Sequence, residues 1–356
     1  MVNTCCVTKE AEIKSLRKLR FALKKYPHST VVATGCACRL SREKFSSAHR
    51  IIDNIERNHL IRGIYPHQDR SRYFLKIQDG CDETCTFCIV PKVRDTIVSK
   101  PIEIVTDEVC WARHCGYHEI VLVGANIGLY GIDTGTRLHD LLRALSTVPD
   151  LPRVRLSSIE PRFVDSEFIA CLQDLPFCRH FHIPLQSADN MILDRMNRGY
   201  TVDHLDDIVE LIHTHFDDCA IGGDIIVGFP GEGEKEFQST YRFIETNPFT
   251  HLHVFPYSIR PGTVACTFGD DVPRQEKRRR LWRLKKLVEQ KNYAFRRRLR
   301  GKTLHIVAER QEGSVSGMTD NYIRVNLDSD CAERELCAVM ITRATPEKTY
   351  GRRVST

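Results

Sequence analysis

The sequence predicts an α/β fold: a partial, six-unit parallel β/α barrel, preceded by a small α/β domain and followed by a small all-β barrel. Three observations predict it. Short apolar, β-branched runs recur six times through the middle of the chain, helix-like stretches separate them, and the pattern changes after Gly301 to short strands with Gly and Asp-Asn turns.

Glu10–Tyr26 reads as an amphipathic helix feeding a buried strand at Val31–Cys36. The six runs are Tyr73–Ile77, Glu119–Val123, Arg153–Leu156, His180–Pro184, Ala220–Val227 and His251–Phe255. Helical patterns between them include Pro101–His114, Leu138–Leu145, Val202–His215 and Lys235–Thr246. Strands alternating with helices imply right-handed βαβ units and a parallel sheet. Six units are too few to close an eight-stranded barrel, so an open one is expected. Beyond Gly301, strands are expected at Leu304–Ala308, Ser314–Gly317, Tyr322–Val325 and Ala338–Ile341.

Composition narrows the setting. No apolar run is long enough to span a bilayer and no signal peptide opens the chain, so no membrane partner and a cytoplasmic location are expected. Fifteen cysteines, an odd number without a disulfide rhythm, suit a reducing compartment and metal ligation. The net charge of +6 is uneven: residues 274–300 hold thirteen Lys or Arg against two Glu. Leu281, Leu284, Val288, Phe295 and Leu299 give that segment one apolar stripe, with the cations expected outward. Such a run either solvates a helix face or attracts polyphosphate, and its density favours RNA.

Cys81, Cys85 and Cys88 follow Gly80 with three and then two residues between them. Three thiolates on one loop can hold a four-iron cubane and leave one iron open to a ligand. Zinc more often takes two separated Cys-x-x-Cys pairs, and three structural thiols are the plain alternative. Polar residues cluster just after every apolar run, where parallel barrels gather their active sites.

The stretches Leu75–Cys81, Glu119–Leu122, Asn126–Gly128, Arg155–Pro161, His182–Ser187, Asp224–Glu232 and His253–Ser258 resemble the radical S-adenosylmethionine methylthiotransferases. The branch most resembled modifies N6-threonylcarbamoyladenosine at position 37 of tRNA. The resemblance implies a [4Fe–4S] cluster on Cys81, Cys85 and Cys88, with S-adenosylmethionine held by Gly124, Asn126, Ser158, Glu160, Gln186 and Ser187. It implies a second [4Fe–4S] cluster on Cys5 and Cys36, whose third ligand is expected upstream of a truncated N-terminus; Cys6 or Cys38 are stand-ins, Cys6 the weaker because neighbouring strand side chains diverge. Arg195, Arg198 and Tyr200 match a stretch near the substrate, the alternative being an ordinary helix start capped by Thr201. The implied domains are a truncated methylthiotransferase domain (1–62), a radical S-adenosylmethionine domain (63–300) and a TRAM-like RNA-binding domain (301–356). tRNA, S-adenosylmethionine and an unidentified electron donor are the expected partners of a monomer. Other readings are methylthiolation of isopentenyladenosine in tRNA or of a ribosomal-protein aspartate, or an RNA-binding remnant unable to transfer sulfur.

Overall fold

The computed structural model of the protein describes residues 1–53, 56, 65–311 and 314–354. The chain divides into one unit made of Met1–Pro66, Asp79–Ile97 and Ser258–Asp270, and a second made of His67–Gln78, Val98–Tyr257 and Asp271–Thr356. The boundary expected between residues 62 and 63 lies outside the described residues.

In the first unit, β1 (Val2–Thr4), β2 (Val32–Gly35) and β3 (Arg50–Ile51) form a parallel sheet in that order. The helix Lys9–Lys25 starts at Thr8, whose hydroxyl accepts from the Ala11 amide at 3.1 Å. Glu10 and Glu12 lie in its first turn and Lys24 and Lys25 in its last, each sign matching the helix dipole. Leu19 packs with Val31, Ala33, Phe45, Ile89 and Val93. Glu12 pairs with Arg260 at 2.9 Å, tying the Ser258–Asp270 segment to this helix.

In the second unit, β4 (Tyr73–Lys76) precedes the two-residue strand β6 (Val98–Ser99), with β5 (Gln78–Asp79) falling at the boundary of the units. β7 (Glu119–Val123) then lies parallel between β4 and β8 (Arg153–Leu156). β9 (His180–Gln186), β10 (Ala220–Val227) and β11 (Phe249–Pro256) form a second parallel sheet with β10 central. Parallel bridges Val154–Phe177 and Ser158–His182 link β8 with the β9 region. Helices Ile102–His114, Leu138–Ser146, Ser166–Gln173, Val202–His215 and Glu234–Thr246 intervene in the chain. Strand alternation separates two faces. Ile120, Leu122, Val154, Leu156, Phe181, Ile183, Leu185, Ile221, Ile225, Phe249 and Val254 join the helices in one core. Glu119, Arg153, Arg155, His180, His182, Asp224, His251 and His253 occupy the opposite face.

The helix Arg274–Arg298 delivers the chain to a closed antiparallel-and-parallel barrel. Its strands are β12 (Thr303–Gln311), β13 (Ser314–Thr319), β14 (Arg324–Leu327), β15 (Leu336–Ala344) and β16 (Thr349–Arg353), ordered β12-β13-β14-β16-β15. The strand expected at Tyr322–Val325 starts two residues later, because Tyr322 adopts φ 61° in the turn. Arg153 donates to the carbonyls of His305 and Met318, and Arg155 to that of Thr319, all at 2.8 Å. The outward cations of the long helix need one correction: Lys277, Arg280 and Arg296 are buried. Arg280 pairs with buried Glu232 at 2.6 Å, and Arg296 donates to the carbonyl of Thr345 at 2.8 Å.

Candidate active site

The cysteine loop is set by Gly80, whose φ of 84° lies in the left-handed region and whose missing Cβ would strike the Thr96 carbonyl. Its chain path is pinned by the Cys81 amide on the Arg94 carbonyl and the Cys88 amide on the Cys85 carbonyl, both 3.0 Å. Ala265 donates to Thr86 at 2.7 Å. Cys81 is buried; Cys85 and Cys88 are half-buried. The Val90 amide donates to the Cys88 sulfur at 3.4 Å. Three undisulfided thiols within eight residues, one already receiving an amide proton, fit the thiolate set of a [4Fe–4S] cluster.

A second group of thiols sits in the same unit. Gly35, with φ 105° and its Cβ position blocked by the Thr4 carbonyl, turns β2 into buried Cys36. The thiol of buried Cys6 bonds to Cys36, and Arg94 donates through Nε to the Cys36 sulfur at 3.0 Å. Arg94 Nη1 reaches Asp79 at 2.8 Å. The Cys6 hydrogen bond and then the Arg94 charge hold the Cys36 thiol well below its ordinary value, against burial. Cys5 is exposed, its amide bonded to Ser15 Oγ at 2.9 Å. Cys38 touches Thr4 Oγ1 at 3.4 Å. Strand alternation does not govern Cys5 and Cys6, because β1 ends at Thr4.

The strand-end residues of the second unit fall into two sets. Gln78 Oε1 accepts from the amides of Ala125 and Asn126 at 3.0 Å each, shaping the turn that contains Gly124. Asn126 caps the following turn by accepting from the Gly128 amide at 3.2 Å. Ser158 is exposed at its bridge to His182, and Glu160 lies two residues on. Gln186 ends β9 with φ 65°, an uncommon conformation for a side-chain-bearing residue. Ser187 is buried, its hydroxyl 3.3 Å from that of Thr240.

Arg198 is buried against Glu160 in an ion pair, and it donates to Tyr200 Oη at 2.7 Å and to the Pro184 carbonyl at 3.1 Å. Tyr200 reaches the Leu185 carbonyl at 3.0 Å. Burial pushes the Glu160 carboxyl up, against the pull of Arg198. Arg195 turns elsewhere, donating to the Pro230 carbonyl at 3.1 Å. Thr201 caps the next helix by accepting from the His204 amide at 3.4 Å. Ser158, Glu160, Gln186, Arg198 and Tyr200 therefore gather around the ends of β8 and β9.

Sequence reasoning missed Gln78 as the organiser of the 124–126 turn. It also missed the charged face: Glu119 accepts from Arg153 and Arg155 at 2.7 Å each, and Asp224 lies 3.1 Å from both His182 and His253. The available signal was charge at alternate positions within apolar runs.

The family profile of the Radical SAM superfamily matches residues 75–244. The Thermotoga maritima protein named threonylcarbamoyladenosine tRNA methylthiotransferase MtaB is 34% identical over 353 residues, covering 91% of this chain and 81% of that protein. The Protochlamydia amoebophila protein named tRNA-2-methylthio-N(6)-dimethylallyladenosine synthase is 32% identical over 343 residues, covering 87% and 76%. Among solved structures, the radical S-adenosylmethionine methyltransferase TsrM from Kitasatospora setae, with tryptophan and a cofactor analogue bound, superposes with a TM-score of 0.51 at 13% identity. That match covers 68% of this chain and 58% of TsrM and speaks to fold alone. With a third of its residues shared along most of both lengths, the chain belongs to the methylthiotransferase family of the radical S-adenosylmethionine superfamily.

Proposed function

We propose that this chain installs a 2-methylthio group on N6-threonylcarbamoyladenosine at position 37 of tRNA. The observation that carries the reading is the 34% identity to the relative named for that nucleoside. When bound by Cys81, Cys85 and Cys88, a [4Fe–4S] cluster supplies the single electron that cleaves S-adenosylmethionine reductively. The Val90 amide stabilises the Cys88 thiolate. Gly124, Asn126, Ser158, Glu160, Gln186 and Ser187 hold the amino-acid and ribose groups of S-adenosylmethionine. The Gln78 bonds that fix the 124–126 turn support that role, as does the strained backbone of Gln186.

Cys5 and Cys36 belong to the sulfur-donating second cluster, and the thiolate character of Cys36 beside Arg94 supports ligation there. Arg198 and Tyr200 shape the substrate end of β9, with Arg195 on the neighbouring Pro230 loop. Two parallel sheets joined by the Ser158–His182 bridge support a six-unit partial barrel. The domain reading is 1–62, 63–300 and a TRAM-like 301–356, the closed barrel and exposed cations of the preceding helix supporting RNA contact. A monomer in the cytoplasm receives electrons from a separate donor; among the described residues no helix is long and apolar enough to cross a membrane.

Anaerobic reconstitution tests the cofactors: about eight irons per chain supports two clusters and about four supports one. Mass spectrometry of tRNA nucleosides from cells lacking the gene tests the substrate. Loss of the methylthio-threonylcarbamoyladenosine peak is expected; an unchanged peak refutes the assignment. Loss of the methylthio-dimethylallyladenosine peak instead favours the second reading, which the 32% identity to that synthase supports.

A further inference from the structure

His182 on β9, Asp224 on β10 and His253 on β11 occupy neighbouring positions on the face that the helices leave uncovered. His182 Nε2 and His253 Nδ1 each lie 3.1 Å from Asp224 Oδ1, and the three donor atoms fall within 4.8 Å of one another. Zinc bonds to nitrogen or oxygen are about 2.0–2.2 Å, so the donor atoms of a tetrahedral site stand about 3.3 Å apart. The two edges to Asp224 need to lengthen by only a few tenths of an ångström, and the histidine–histidine edge lies within 4.8 Å. We propose that His182, Asp224 and His253 form a binding site for a borderline divalent cation of the Zn²⁺ class.

The chemistry of the set fits that ion. Two imidazoles and one carboxylate are an oxygen–nitrogen set without sulfur that shares no residue with the cysteine sets, and three protein ligands leave a fourth position for water or another ligand. Register makes the arrangement rigid: Asp224 is opposite His253 in the β10–β11 ladder, and His182 is opposite the adjoining Gly222. The missing side chain at Gly222 matters, since a Cβ there would strike the His251 ring beside the site. Entry is open, with the His253 side chain 58% exposed while Asp224 and His182 are mostly covered. His180 and His251 stand behind, their Nε2 atoms 3.1 Å apart, and burial keeps His251 uncharged with a pKa of about 3. The ion would therefore meet neutral imidazoles on that side, with the Arg155 guanidinium beyond them.

The test uses the full chain, iron-loaded, equilibrated with one equivalent of Zn²⁺ and desalted, beside Asp224→Asn and His253→Ala. His253 is exposed enough that its truncation leaves the fold intact, and iron content serves as the control for both variants. The expected result is about one zinc retained per chain, with zinc-edge X-ray absorption showing nitrogen and oxygen at about 2.0–2.2 Å. Retention should fall at least about tenfold in both variants while iron stays constant. The proposal is overturned if the parent chain releases its zinc on desalting, if both variants keep it, or if sulfur at about 2.3 Å surrounds it.

Discussion

Arg94 Nε donates to the sulfur of Cys36 at 3.0 Å, joining the segment that follows the cysteine loop to the residue just after β2. The same guanidinium donates to Asp79 at 2.8 Å, one residue before Gly80. A planar fork can serve both acceptors at once, and a lysine ammonium cannot match its geometry. Arg94→Lys should therefore lower stability by about 1–3 kcal/mol in denaturant titrations of the first unit, because one acceptor is left without its bond. An unchanged midpoint would show that the bridge is dispensable.

Gly80 must hold φ 84° beneath the Thr96 carbonyl, and only a residue without Cβ fits. Gly80→Ala should cost about 1–3 kcal/mol and displace Cys81. Iron bound per chain after reconstitution should drop toward the level of Cys81→Ser. Parental iron content in the alanine variant would rule out this glycine as the device that aims the loop.

Burial alone would raise the Glu119 carboxyl, but Arg155 and Arg153 outweigh it and hold the pKa below the ordinary 4.5. With the folded value depressed, the group's stabilisation is present above about pH 4.5 and is lost as pH falls through the folded value. Glu119→Gln strands two buried guanidiniums and should cost about 3–5 kcal/mol at pH 7. The parent should lose more stability than the variant on acidification below pH 4.5; parallel curves would contradict the assignment.

The cations of the long helix divide by burial. Arg278, Lys285 and Lys286 are exposed, whereas Arg280 is buried against Glu232. Replacing the three exposed residues by alanine should leave stability within about 0.5 kcal/mol. It should flatten the salt dependence of tRNA binding, each lost phosphate contact removing about 0.7–0.9 from the log–log slope. Arg280→Ala should instead destabilise the fold by about 3–5 kcal/mol. A salt slope unaffected by the triple change would remove this helix from the RNA surface.

Strands β7, β8 and β10 occupy the very residues their runs predict, because each keeps apolar residues at the positions that face the helices. β16 was missed: Thr349–Arg353 carries glycine and two arginines, and it becomes a strand only by pairing parallel to β14 and antiparallel to β15. The grouping of Cys81, Cys85 and Cys88 is legible from spacing, since all three lie on one local loop. The link from Cys36 to Arg94 was not, for it spans 58 positions and follows from tertiary packing. The same holds for Arg198: the sequence sets it near the substrate or at a helix start, but its pairing with Glu160, 38 positions away, follows from packing.

The carbonyls that receive Arg153 and Arg155 belong to the C-terminal strands β12 and β13 and to Asp320 just after β13. Those five strands are thus a stopper seated on the parallel sheet rather than an appendage. In a chain cut after residue 300, two guanidiniums would be left facing a carboxylate without the carbonyls that now receive their outer N–H groups.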